Sequence, residues 1–179
     1  MVYTAQYHSP TGALLLAEWD GALAGVWMEG QKYFPSALMR EAQAREESPV
    51  LRQAAEWLDR YFAGEKPSIQ ELPLAPAGSS FQKEVWQILR GIPYGETTTY
   101  GKIAQKLAAR RGLAGMSAQA VGGAVGHNPI SIVIPCHRVV GASGSLTGYA
   151  GGLPKKIWLL THEGVDLEGF FVPNAGSAL

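Results

Sequence analysis

Cys136 is the only cysteine among 179 residues, and it stands between Pro135 and His137 at the end of the run Ile130-Ser131-Ile132-Val133-Ile134. A free thiol is a weak nucleophile at neutral pH, because with an ordinary pKa near ~8.5 only a small fraction is thiolate. A neighbouring base or cation changes that, and His137 and Arg138 follow immediately. Pro135 stiffens the approach by fixing φ and removing a backbone donor. The plain alternative is a small buried hydrophobe, a common role for free cysteine. One cysteine leaves no internal disulfide and no thiolate zinc cluster, and an unpaired thiol fits a reducing cytoplasm. No metal and no cofactor is expected.

The charge of the chain is divided. Fifteen Lys and Arg balance fifteen Asp and Glu overall. Residues 1–78 carry six basic against ten acidic side chains, and residues 79–179 carry nine against five. The basic half holds Cys136, as expected if that half meets a polyanion and the other does not. No apolar run approaches the length of a membrane span, and the N-terminus lacks a basic segment followed by an apolar one. A cytoplasmic monomer is the expectation.

The elements that must position the thiol read as an α+β chain in two parts. Residues 2–8, 12–19 and 22–28 are strands around Pro10-Thr11-Gly12 and Asp20-Gly21, a hairpin or three-stranded meander. Residues 34–46 are a weak helix or loop. Ser48-Pro49 opens a helix with an apolar stripe through Leu51, Ala54, Leu58 and Phe62, stopped at Gly64. Trp19, Trp27 and Trp57 are read as core. Pro67 to Ser80 is rich in Pro, Gly and Ser and reads as a linker. Ser80 is expected to cap a helix over 81–90, and further helices are predicted over 101–110, 118–125 and 154–162. The expected division is an N-terminal α+β domain over 1–75, a C-terminal domain over 76–169, and a tail over 170–179 that docks by Phe170 and Phe171 and then frays.

The helices at 101–110 and 118–125, joined by the basic turn Arg110-Arg111-Gly112, form a helix-turn-helix pattern. Ordinary helix packing is the competing account. Each glycine inside a helix is unfavourable by about 1 kcal/mol relative to alanine, so Gly122 and Gly123 call for close approach of another surface. Small residues facing a groove would bind DNA without reading its bases.

Ile134-Pro135-Cys136-His137-Arg138-Val139, preceded by Asn128-Pro129 and followed by Gly148-Tyr149-Ala150-Gly151-Gly152 and His162-Glu163-Gly164, resembles the active-site signature of the O6-alkylguanine-DNA alkyltransferases. The match is close over residues 79–168 and looser before them. The resemblance implies a ribonuclease H-like N-terminal domain and a mostly helical, winged-helix-like C-terminal one. It implies irreversible, single-turnover transfer of a methyl or larger alkyl group from O6-alkylguanine in double-stranded DNA, with O4-alkylthymine a further candidate substrate. The nucleotide would first rotate out of the stack.

The resemblance also assigns roles. Cys136 would be the acceptor, activated through His137 and Glu163, directly or through a water, with Asn128 tying the recognition helix to the active-site segment. Neighbours on a strand point to opposite faces, so the chain must leave strand geometry after Pro135 or a water must bridge Cys136 and His137. Tyr100, Val139, Tyr149, Ala150 and Val125 would hold the purine. Gln119 stands where the family has an arginine that fills the vacated stack, beside Ala120, Gly122 and Gly123 on the DNA side. Arg111, Lys102, Lys106, Arg110, Lys155 and Lys156 are the expected phosphate contacts, Arg138 a structural or phosphate contact, and His127 an exposed residue without a role. Competing readings are a lesion binder without repair activity, a cysteine hydrolase that turns over repeatedly, and a sequence-preferring transcription regulator. Methylation of Cys136 by alkylated DNA separates the first from repair.

Overall fold

The structure, a computed structural model, describes residues 1–173. It divides into two units: Met1–Ala77 with Pro129–Val133, and Gly78–Asn128 with the residues from Ile134 onward.

In the first unit β1 (Val2–Ser9), β2 (Gly12–Trp19) and β3 (Ala22–Met28) form an antiparallel meander. The Asp20-Gly21 turn has positive φ at both residues, 52° and 78°, the primed geometry that matches strand twist. Gly25 makes room for an indole: a Cβ there would lie 1.9 Å from the Trp27 ring. The segment 34–46 resolves into a short helix α1 (Ser36–Met39) and a strand β4 (Gln43–Ala44) that runs parallel to β1, so the sheet order is β3-β2-β1-β4. Helix α2 (Pro49–Phe62) starts where Ser48 Oγ accepts from the Leu51 amide, and it buries Leu51, Ala54, Trp57, Leu58 and Tyr61. Trp27 and Trp57 are core, but Trp19 is 48% exposed at the end of β2, so that part of the expectation is corrected.

The stretch read as a linker is partly structural. The Leu23 amide donates to the Pro73 carbonyl at 2.7 Å, the Ala75 amide donates to Leu23 at 2.9 Å, and Leu72 is buried. Prolines cannot donate to a ladder but their carbonyls accept, so this Pro-rich segment can line a sheet edge. Pro129–Ser131 bonds further along the same strand, through Val26. Both segments cover the outer edge of β3, which would otherwise be open to pairing with another chain.

The second unit begins with α3 (Ser80–Leu89), capped by Ser79 rather than Ser80. Ser79 Oγ accepts from the Gln82 amide and Gln82 Oε1 from the Ser79 amide, a reciprocal pair. Helix α4 (Tyr100–Arg110) starts on a Thr99 cap, and α5 (Ala118–Gly126) on a Ser117 cap. Trp86 on α3 donates its indole N–H to the Ala124 carbonyl at 2.8 Å, locking α5 down. Two-residue strands β5 (Thr98–Thr99) and β6 (Val139–Val140) pair in parallel, tying the start of α4 to the residues just after Cys136. Helix α6 (Leu153–His162) closes the unit. Phe170 packs beside Val140, Leu146 and Leu160, and Phe171 exchanges backbone bonds with Gly144 and Leu146. The expected fraying after Pro173 lies outside the described residues.

The paired glycines of α5 have different reasons. Gly122 is buried, whereas a Cβ at Gly123 would meet nothing within 4 Å. Folding alone therefore gives no reason for glycine at 123. Gly123→Ala is expected to raise stability by about 0.5–1 kcal/mol through backbone entropy. A urea midpoint that rises at unchanged slope is the check.

Candidate active site

The thiol is delivered by a bent backbone. The Val133 amide bonds to the Ser131 carbonyl at 2.8 Å around Ile132, whose φ is 72°. Positive φ at a β-branched residue is unfavourable by about 1–3 kcal/mol and persists only when the surroundings impose it. The Cys136 amide then bonds to the Ile134 carbonyl at 2.8 Å around Pro135, whose φ of −81° and ψ of 65° define an inverse γ-turn. Cys136–Arg138 follow as a 3-10 turn. From Ser131 onward the chain is a series of turns and not the strand expected before Pro135, so strand alternation does not send Cys136 and His137 to opposite faces.

Cys136 is 5% exposed. Burial pushes its thiol up, opposed by a hydrogen bond from the Asn128 side chain and by the charge of Lys156. Asn128 Nδ2 also donates to the Ile134 carbonyl at 2.8 Å, so one amide holds both the thiol and the turn that presents it.

His137 is fully buried, with Nε2 2.5 Å from Glu163 Oε2. Its Nδ1 has no hydrogen-bond partner among the described residues. An ionised Glu163 can only accept, so the proton belongs on Nε2 and Nδ1 carries the lone pair. Glu163 also accepts from Arg138 Nε at 2.6 Å and from the Gly95 amide at 3.3 Å, both on Oε1. Burial alone would raise the Glu163 pKa, but these hydrogen bonds and charges hold it at about 2. Burial lowers the His137 pKa and outweighs the pull of Glu163.

Tyr100, buried at the first residue of α4, donates to the carbonyls of Thr147 at 3.1 Å or Gly148 at 3.2 Å. Burial, with Cys136 nearby, pushes its phenol well up, so the hydroxyl stays a donor. Lys156 converges on the same place: Nζ donates to the Val139 carbonyl at 2.5 Å and the Thr147 carbonyl at 2.9 Å. Its side chain is completely buried, which corrects its reading as a phosphate contact. Desolvation lowers its pKa to about 8, against the pull of Cys136. The signal was present in the spacing. Lys156, Leu159, Leu160 and Glu163 fall at i, i+3, i+4 and i+7, one face of a helix.

The other site candidates lie as follows. Val125 and Val139 are buried, while Tyr149 and Ala150 are half-buried in the loop where the Gly152 amide bonds the Tyr149 carbonyl at 2.9 Å. Gln119, Ala120 and Gly123 are exposed on α5, and Gly122 is not. Arg111 pairs with Glu84 at 2.8 Å and stacks over Phe81. Exposed His127 bonds its ring to the Gly123 carbonyl. No described helix is long and apolar enough to cross a membrane.

Both halves of the chain match known proteins. Residues 2–76 match the family profile "6-O-methylguanine DNA methyltransferase, ribonuclease-like domain", and residues 80–165 match its DNA binding domain. A Haemophilus influenzae protein named methylated-DNA–protein-cysteine methyltransferase is 40% identical over 162 residues, 90% of this chain and 86% of that one. One of the same name from Mycolicibacterium paratuberculosis is 47% identical over 155 residues, covering 87% of this chain and 88% of that one. The crystal structure of Mycobacterium tuberculosis OGT in complex with DNA superposes with a TM-score of 0.79 at 42% identity, covering 90% of this chain and 93% of that one. A lone cysteine beside a carboxylate-held imidazole, on a chain matched in both halves, leads to one conclusion: this protein belongs to the 6-O-methylguanine DNA methyltransferase family.

Proposed function

We propose that this chain repairs DNA by moving the alkyl group of O6-alkylguanine onto Cys136, once per molecule, after the nucleotide has rotated out of the duplex. The supporting observation is the sole thiol held beside Asn128 and Lys156, followed by an imidazole whose Nδ1 is buried and unpartnered while Nε2 is held by Glu163. The thiol proton passes to His137 Nδ1 through a bridging water, and the imidazolium is stabilised by Glu163. Sulfur attacks the alkyl carbon in line with the departing oxygen; the S–C bond forms and the C–O6 bond breaks. Guanine leaves as an anion stabilised by the Tyr100 hydroxyl and the Ala150 amide, and it regains a proton on return to water. The thioether has no leaving group, so the protein is consumed.

The slot for the purine is assigned to Tyr100, Val125, Val139, Tyr149 and Ala150. The Val139 carbonyl, although it accepts from Lys156, keeps a second lone pair for the guanine amino group. The exposed face of α5, with Gln119, Ala120 and Gly123, is assigned to the duplex, and Arg111 to phosphate. The alkyltransferase domain spans 76–169, and a monomer acts on double-stranded DNA. Intact mass spectrometry after incubation with an O6-methylguanine duplex tests this. One methyl group on Cys136, with no second turnover, is expected. Turnover without modification of Cys136 overturns it. Gln119→Ala is expected to slow repair of the duplex about tenfold while leaving methyl transfer from free O6-methylguanine unchanged, since an unstacked base needs no plug; equal rates on duplex remove Gln119 from that role.

A further inference from the structure

Arg138 follows the thiol by two residues, yet its guanidinium does not face solvent. It is 8% exposed, donates Nε to Glu163 and Nη1 to the Ile92 carbonyl at 2.7 Å, and lies 5.6 Å from the Tyr94 ring centre. The charged and titratable groups facing His137 are Lys156 from α6, Glu163 at the residue that ends that helix, and Arg138 from its own turn. Tyr94 adjoins Glu163 and Arg138, and Cys136 adjoins Lys156.

A lone carboxylate in contact with a buried imidazole would favour the imidazolium. An imidazolium has protons on both nitrogens and cannot take one from a thiol. Arg138 offsets the charge of Glu163 chiefly through Oε1 at 2.6 Å, with a longer contact to Oε2 at 3.3 Å, and Oε2 still accepts from Nε2 at 2.5 Å. Its own cation and that of Lys156 then oppose a third positive charge in the cluster.

We propose that Arg138 is a positioning residue for alkyl transfer: by occupying Oε1 of Glu163 and the Ile92 carbonyl, it keeps His137 uncharged with its proton on Nε2, leaving Nδ1 as the accepting nitrogen. This rests on the assignment of His137 as the base. Removing the cation acts twice in one direction. It relieves repulsion of the imidazolium and leaves Glu163 more negative toward His137. Because the reaction needs the neutral ring, its acid limb moves to higher pH.

The test compares Arg138→Met and Arg138→Lys in the full chain. The His137 imidazole is titrated by NMR, its signal assigned by loss in His137→Gln, and the single-turnover rate is followed against pH on an O6-methylguanine duplex. The methionine variant should raise both the His137 titration and the acid limb by about one pH unit or more. Its rate should recover at high pH, which a merely structural loss would not allow. The lysine variant keeps the charge and should stay within about 0.3 unit of wild type. An unmoved limb and titration in folded Arg138→Met, or an equal shift in Arg138→Lys, overturns the proposal. If the methionine variant does not fold, wild type decides: a neutral Nε2–H ring near pH 7 supports it, and an imidazolium or an Nδ1–H ring sinks it. Failure of wild type to become methylated would remove the repair reading but leave the imidazole titration readable.

Discussion

Glu163→Gln is expected to slow methylation of Cys136 about 100-fold at neutral pH and to lower stability by about 3–5 kcal/mol. The substitution keeps the shape and leaves an acceptor for His137 Nε2, but it removes the charge that stabilises the imidazolium once the thiol proton has moved. It also leaves Arg138, 8% exposed, without its counter-charge. The pH dependence has a definite sign. Folding lowers the Glu163 pKa from 4.5 to about 2, so the ionised carboxylate stabilises the fold above 4.5 and loses that contribution as pH falls toward 2. The part at stake is of the order of 3 kcal/mol. Urea unfolding at neutral pH and across that acid window provides the check: wild type should lose stability there more steeply than Glu163→Gln. Parallel acid profiles would mean that the carboxylate is not held ionised by its neighbours.

How much of this was legible in the residues depends on whether the signal was local. Asp20-Gly21 and Ser48-Pro49 carry their geometry in their own chemistry, and the turn and helix start form where they stand. The Ser117 cap did likewise. The Pro-rich 67–80 stretch misled because its composition describes backbone that cannot build a ladder, whereas its carbonyls complete one built by β3. Trp19 misled because size favours burial and its place at a strand end does not. The return of Pro129–Ser131 to the edge of β3 is a long-range pairing with no mark in the local sequence.

At the site, Cys136 and His137 stood out by type and adjacency, and Glu163 entered only by resemblance. Their arrangement depends on two γ-turns and a 3-10 turn, of which the sequence displays Pro135 alone. Ile132, a β-branched residue at positive φ, is placed against its own preference by the structure around it. Lys156 was assigned to the surface because lysine is almost never buried without a partner. Its partners are two carbonyls and the field of a thiol, none of which is an oppositely charged side chain readable at helical spacing.

Lys156→Met is therefore expected to separate reactivity from stability. A completely buried ammonium disfavours folding, and the sign follows from its pKa, lowered from 10.5 to about 8. Below pH 8 the penalty is fully present; it is relieved as pH rises from 8 to 10.5, where the unfolded chain binds more protons than the folded one. Methionine has similar length and no charge, so the penalty disappears. The Thr147 carbonyl still accepts from Tyr100, and only Val139 loses its side-chain donor. At neutral pH the variant should unfold at an equal or higher urea concentration than wild type, and its stability should no longer rise between pH 8 and 10.5. The thiol responds in the opposite sense. Burial already raises it, and losing the one cation that favours its ionised form raises it further. A unit charge near a thiolate in a protein interior is worth about 3 kcal/mol, so methyl transfer at neutral pH should fall about 100-fold. Because Cys136 is the only cysteine, the difference in ultraviolet absorbance against Cys136→Ser isolates its thiolate from the tyrosines, and the midpoint should move up. A variant that reacts at the wild-type rate, or whose thiolate titrates unchanged, would show that Asn128 and His137 suffice to ionise the sulfur and that Lys156 serves only to hold the Thr147 and Val139 carbonyls together.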